Sequence, residues 1–196
     1  AVGCGYKYLN GGPGAPAFAY VAERHHESLK SPLWGWMGHE APFDFDPAYR
    51  PAPGVAGLKV GTPPILSLAA LECGVTLVAE IGVERLRSKS MALSDLFIGL
   101  VERDCRDLGL ELASPRSADR RGSQVSLCFS DGYAVVQALI ARGVIGDFRS
   151  PDLMRFGLAP AYLRYVDIWD AVAAIGEILR SREWDQPRYR QRAKVT

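Results

Sequence analysis

The chain has 196 residues, 48% of them hydrophobic and 23% charged, with a net charge of +1. Such a composition suits a soluble globular protein with a real core, of one ordinary domain or two small ones. It excludes a nucleic-acid binder driven by bulk charge, and no uninterrupted apolar stretch is long enough to span a bilayer. Four cysteines, Cys4, Cys73, Cys105 and Cys128, are scattered without a C-x-x-C pair or nearby histidines. Reduced thiols in a cytoplasmic protein are therefore expected rather than disulfides or zinc. Ala1 to Gly14 has neither the basic start nor the apolar run of a signal peptide.

Residues 1–8 read as a buried strand that delivers Tyr6 and Lys7 to its end, with a turn over Asn10 to Gly14. A single lysine between two tyrosines, with glycines on both sides, lets backbone and a ligand come close to its amine. Lys7 is a candidate Schiff-base nucleophile, provided that desolvation or nearby positive charge lowers its pKa. A surface lysine at a strand-to-turn junction is the plainer alternative. The chain opens in mid-strand without an initiator Met, so one part of a longer polypeptide is expected.

Phe18 to Ala22 alternates as a short strand. His26 and Glu27 fall short of the zincin pattern because Lys30 stands where the second histidine belongs; residues 25–27 read as a polar connector, not a metal site. Residues 31–54 form a long irregular loop, a length usually tied to function. Its Trp34 and Trp36, flanked by Gly35 and Gly38, suit an aromatic wall over a ligand or a dimer contact. Leu58 to Gly61 reads as a strand, and Thr62-Pro63-Pro64 as a helix start with Thr62 as cap. The same hydroxyl at a helix N-terminus is a candidate anion site.

From Ile65 to about Leu108 the spacing is helical, with Ile65, Leu68, Leu71, Val75, Val78 and Ile81 on one apolar side. Gly82 should break it into two helices, and Arg85, Arg87 and Lys89 read as a solvated basic face. Beyond Gly109, strands are expected at 110–113, 124–129, 144–148 and 153–158. A helix capped by Ser130-Asp131 should run from Ala134 to Arg142, stopped by Gly143. A last helix, from Val166 to Arg182, should turn Trp169, Val172, Ile175 and Leu179 inward. This β-β-α-β-β-α order describes a small α+β domain with a mostly antiparallel sheet. Arg188 to Lys194 reads as a basic, solvated tail. Alternation turns Met154, Phe156 and Leu158 to the core and leaves Arg155 on the other face. Its planar fork suits a carboxylate ligand or an internal ion pair.

Four blocks together resemble the kynureninase family, pyridoxal-phosphate (PLP) enzymes of the class V aminotransferase-like group. They are Tyr6 to Gly14, Gly35-Trp36-Met37-Gly38-His39, Gly61 to Leu66, and Gly146 to Gly157, in the family's order and at about its spacing. The resemblance implies an α/β chain, the C-terminal part of the aspartate-aminotransferase-like fold, with residues 1–62 ending the large domain, 63–108 linking, and 109–196 forming the small domain. It implies PLP attached at Lys7, with Tyr6, Trp36 and Thr62 contacting its phosphate and Tyr6 a proton donor. It assigns Arg155 to the substrate α-carboxylate, and implies hydrolytic Cβ–Cγ cleavage of kynurenine or 3-hydroxykynurenine in a homodimer with shared sites. Only the family's C-terminal half is matched, so residues contributed by an N-terminal half are expected to be needed. A desulfurase- or transaminase-like relative, or an inactive fragment with a folding or assembly role, remain alternatives.

Overall fold

The computed structural model describes residues 1–192; the end of the expected tail, Ala193 and Lys194, lies outside the described residues. Backbone contacts divide the chain after Glu80 into two compact units, not at 62 and 108. Of the two helices in the stretch expected to link the domains, the first falls almost wholly in the first unit and the second in the second unit.

In the first unit, β1 (Val2–Cys4) pairs antiparallel with β2 (Ala17–Ala19), Gly3 opposite Phe18. The strand is shorter than expected and not buried, with Val2 87% exposed. Gly5 and the glycines that follow bend the chain away before a longer ladder forms. Residues 31–54 are irregular as expected, apart from a 3-10 turn at Trp36–Gly38. A second 3-10 turn, Gly54–Leu58, replaces the strand expected at 58–61. Gly54, at φ 58°, turns the backbone there and Lys59 N–H closes the turn on the Ala56 carbonyl. The helix α1 (Ile65–Ile81) starts two residues later than a Thr62 cap predicts. Leu68 N–H donates to the Pro64 carbonyl at 2.9 Å, so Pro64 holds the cap position and Thr62 stands upstream of it. Only Gly74 and Val78 of α1 are buried; of the expected apolar side, Leu71 and Ile81 are half-buried and Ile65, Leu68 and Val75 stay exposed.

Gly82, at φ 87°, ends α1 and accepts the first hydrogen bond of α2 (Val83–Asp104), as its permissive backbone allows. Then follow β3 (Glu111–Leu112), β4 (Gln124–Cys128), α3 (Gly132–Ala141), β5 (Asp147–Arg149), β6 (Leu153–Gly157) and α4 (Tyr165–Ser181). The sheet order is β3-β4-β6-β5, antiparallel throughout. Val125 faces Phe156 and Leu127 faces Met154; all four are buried with the inner sides of α2, α3 and α4 in one cluster. The other sheet face carries Gln124, Ser126 and Arg155.

Four expectations are corrected here. On α4 the inward stripe is Ile168, Val172, Ile175 and Leu179, and Trp169 lies outside with the Arg103 guanidinium 5.0 Å from its ring centroid. Asp131 occupies the N-cap of α3 without capping it, its carboxylate pairing with Arg190 instead. Arg87 is not solvated; it donates to the carbonyls of Ala118 and Arg121. The tail begins with a short helix, α5 (Pro187–Arg190), whose Tyr189 is buried in the core beside Trp184.

The deepest charge of the unit is Arg121, whose side chain is 2% exposed. Its guanidinium donates to Ser94 Oγ, to the Pro115 and Arg116 carbonyls and to Asp95. A buried guanidinium is tolerable only when its donors are matched in this way.

Two expectations follow for stability. Ile175→Ala should cost about 2–5 kcal/mol in the second unit, whereas Ile65→Ala on exposed α1 should stay within about 0.5 kcal/mol; denaturant titration of each variant checks this. Asp104, Asp119, Asp147, Asp167 and Asp185 are all held below the ordinary carboxylate range, chiefly by hydrogen bonds from Arg103, Ser117, Arg155, Arg164 and Arg182 in turn. Depressed carboxylates stabilise above their unfolded pKa of about 4 and lose that contribution as pH falls through the folded value. The melting temperature should therefore drop modestly below about pH 4, since all five are substantially solvated; a rise on acidification would contradict this.

Candidate active site

Lys7 sits at the tip of a tight turn. Gly5 N–H donates to the Pro16 carbonyl at 3.1 Å, Gly11 N–H returns to the Gly5 carbonyl at 3.0 Å, and Asn10 N–H reaches the Lys7 carbonyl at 3.1 Å. Asn10 adopts the left-handed region, φ 54°, which asparagine tolerates better than most residues. The turn presents Tyr6, Lys7 and Tyr8 outward, all exposed. The Lys7 amine lies 5.2 Å from the Tyr6 ring centroid. A hydrogen bond with the Tyr6 phenol, and then its charge, hold the Lys7 pKa above its ordinary value. That is opposite to the lowering a nucleophilic amine needs, because the amine is solvated rather than buried.

What seats this turn is α1. A β-carbon at Gly74 would lie 2.2 Å from the Leu9 carbonyl oxygen, and one at Gly11 would meet Leu71 Cδ1 at 2.8 Å. The turn rests on the helix at Leu71 and Gly74, with backbone against backbone. Sequence reasoning placed Leu71 on an apolar side and did not single out Gly74. An isolated glycine inside a helical pattern is the signal that marks such an approach.

Trp36 stands in the irregular loop beside Gly35, where the backbone runs so close to Val60 that no β-carbon fits. Its ring meets Phe43 edge-on, centroids 5.8 Å apart, while Trp34 stacks on Tyr49 at 4.9 Å. The tryptophans thus serve two separate pairs rather than one wall. His39 is buried and organises the loop: Ala41 N–H donates to Nδ1, so Nε2 donates to the Ala48 carbonyl. Thr62 is exposed ahead of α1. Tyr6, Lys7, Trp36 and Thr62 all belong to the first unit, as an amine, a phenol, an indole N–H and a hydroxyl open to solvent. No acidic residue lies between Ala1 and Tyr20.

Arg155 belongs to the second unit, on the sheet face away from the core. Of the two partners its fork suits, the internal ion pair is present. Directly opposite on β5 is Asp147, which accepts from Nε at 2.5 Å and from Nη2 at 2.6 Å. The pair holds the Asp147 carboxyl below its ordinary range and Arg155 above its own. Arg155 remains 28% exposed. Asp147 was quoted in the sequence block carrying Arg155 without a role; only the β5–β6 register brings the two together.

Residues 86–175 match the family described as the kynureninase C-terminal domain. A kynureninase of Burkholderia mallei is 50% identical over all 196 residues, and one of Pseudomonas fluorescens is 49% identical over the same span. In both cases the whole of this chain covers 47% of the relative, so it spans about half the length of the curated relatives it matches. Among solved structures, an apo cysteine desulfurase of Thermococcus onnurineus superposes with a TM-score of 0.74 at 17% identity, over 92% of this chain and 46% of that one. A cysteine desulfurase of Escherichia coli gives 0.66 at 20% identity, over 83% and 42%. These two likenesses bear on the fold alone, and they agree with the expected α/β fold. Along its whole length the chain is the counterpart of the C-terminal half of the kynureninase family.

Proposed function

We propose that this chain is the lysine-bearing half of a PLP-dependent kynureninase, which adds water across the Cβ–Cγ bond of L-kynurenine or 3-hydroxykynurenine and releases anthranilate or 3-hydroxyanthranilate with L-alanine. The observation that carries this is 50% identity over an alignment that spans all 196 residues of the chain. PLP when bound supplies an electron sink for the charge left on the amino-acid carbons as the bond breaks. The residues present fit such a group in kind. Lys7 offers a reachable primary amine for an aldehyde, and Trp36, Thr62 and Tyr6 offer neutral hydrogen-bond donors of the sort a phosphate accepts.

Each side chain then has a task of its own. Lys7 Nζ holds the cofactor and, once freed, carries a proton to and from the substrate carbon. That requires its raised pKa to fall, which desolvation would bring about once the amine is covered. Tyr6 Oη is a phenol beside that amine and acts as a general acid toward Cβ. Arg155 takes the substrate α-carboxylate and fixes which Cα bond stands against the ring. No acidic residue lies among residues 1–20, and on this reading the carboxylate for the pyridinium nitrogen comes from the N-terminal half, so the chain by itself is proposed to be inactive. Completion comes from an N-terminal half and from a homodimer in which Trp36 and Thr62 serve the partner's site. The setting is cytoplasmic, in keeping with four unpaired thiols.

The structural neighbours make a desulfurase reading worth testing. Such chemistry needs a cysteine on a mobile segment downstream of the lysine. Cys73 lies within α1, Cys105 is buried at the end of α2 and Cys128 lies in β4, which favours the kynureninase reading.

The test uses a full-length protein containing these residues, supplied with PLP. Kynurenine should release anthranilate, cysteine should give no alanine, and Lys7→Ala should remove both the activity and the mass that borohydride fixes on the protein. Failure to release either anthranilate from kynurenine or 3-hydroxyanthranilate from 3-hydroxykynurenine would end this reading. Gly74→Ala should also lower PLP occupancy, because its β-carbon drives the Leu9 carbonyl and the Lys7 turn off α1; occupancy read by absorbance equal to the unaltered protein would refute that seat.

A further inference from the structure

We propose that Asp147 is the positioning residue for Arg155, holding its guanidinium so that the Nη1/Nη2 edge faces the substrate α-carboxylate. This rests on the reading of Arg155 as the carboxylate clamp. Residues directly opposite in an antiparallel pair project from the same face. Asp147 and Arg155 are such a pair, and Met154 and Phe156 on either side of Arg155 are buried in the core. The two charged groups therefore meet on the half-open face of the sheet.

The edges of the guanidinium decide what Asp147 can do there. Arginine carries five N–H donors in a fixed plane. Asp147 engages Nε–H and one Nη2–H, at 2.5 and 2.6 Å. One Nη2–H and both Nη1–H remain, and the end edge they form is again a parallel two-donor fork that matches a carboxylate. Asp147 takes the side edge and leaves the end edge, so it orients the guanidinium without occupying the substrate's place.

Charge and rigidity point the same way. Arg149, two residues along β5, approaches Asp147 at 3.9 Å, so Asp147, Arg149 and Arg155 together keep one positive charge for an incoming anion. On its other side Arg155 faces Ser126 of β4, a short neutral residue that cannot fix a guanidinium from both edges. Without Asp147 the long Arg155 side chain would sample many rotamers, and ordering it would weaken every binding event.

In the full-length PLP-loaded protein, Asp147→Asn and Asp147→Ala should raise the KM for kynurenine, and the Kd for L-alanine read from cofactor absorbance, roughly ten- to hundredfold, as misplacing a positioning contact does. The kcat should change less. Asp147→Glu should recover part of the loss. The double variant with Arg155→Ala should be no worse than Arg155→Ala alone, since Asp147 acts through Arg155. Melting curves matching the unaltered protein separate this from lost folding, and the isosteric Asp147→Asn carries the test if Asp147→Ala does not fold. Unaltered KM and Kd, a lower KM, or additive losses in the double variant would each overturn the proposal. If Arg155→Ala itself leaves KM unaltered, the clamp reading falls and takes this proposal with it.

Discussion

The second unit depends on the register of three strands. Side chains alternate with a period of two, so one choice of pairing between β4, β6 and β5 decides the fate of every residue on them. The observed register puts Val125, Leu127, Met154 and Phe156 under the helices and Asp147 beside Arg155 on the opposite face. A slip of one residue would send a guanidinium into the core and two large apolar groups into water. Core formation and the geometry of the Arg155 fork are thus one event, enforced by the same hydrophobic cost.

The two units use their residues differently. The second carries the apolar cluster and most of the ion pairs. The first is held by turns, by backbone approaches at Gly35 and Gly74 that admit no side chain, and by aromatic pairs at Trp34 and Trp36. Its reactive groups lie open to water, and the Tyr6 phenol holds the Lys7 pKa above its ordinary value. On the proposed reading this is a set of donors awaiting cover, and the amine becomes useful only when water is excluded from it.

Much of this was legible in the sequence because the signals were local. Gly82 and Gly143 stopped helices where a left-handed backbone was needed, both having positive φ. The alternation in Leu153 to Leu158 gave the correct inner face of β6. What could not be read depended on partners distant along the chain. Asp131 looked like a cap until Arg190 claimed its carboxylate, and Arg87 looked solvated until the 118–121 carbonyls arrived to meet it. Trp169 and Ile168 are adjacent, and helical spacing alone fits either one to Val172; packing chose the smaller. The strand expected at Leu58 to Gly61 failed because a short apolar run needs a neighbour to pair with, and a glycine-rich turn formed first. Of the candidate site residues, Lys7 and Arg155 were visible through unusual surroundings, while Asp147 and Gly74 emerge only from contacts across the fold.

The buried Arg121 also sets how the irregular segment before β4 moves. That segment has little regular structure beyond a 3-10 turn at Ala118–Arg120, and loops of its kind ordinarily open and close on their own. Here Arg121 ties the Pro115 and Arg116 carbonyls to Ser94 in the middle of α2, and Arg87 holds the Ala118 and Arg121 carbonyls from about two turns earlier on the same helix. Opening the segment would strand a guanidinium in the core or pull it out past α2. Its amides should accordingly exchange with solvent on the timescale of the helix, so that a stretch without secondary structure belongs to the most cooperative part of the molecule.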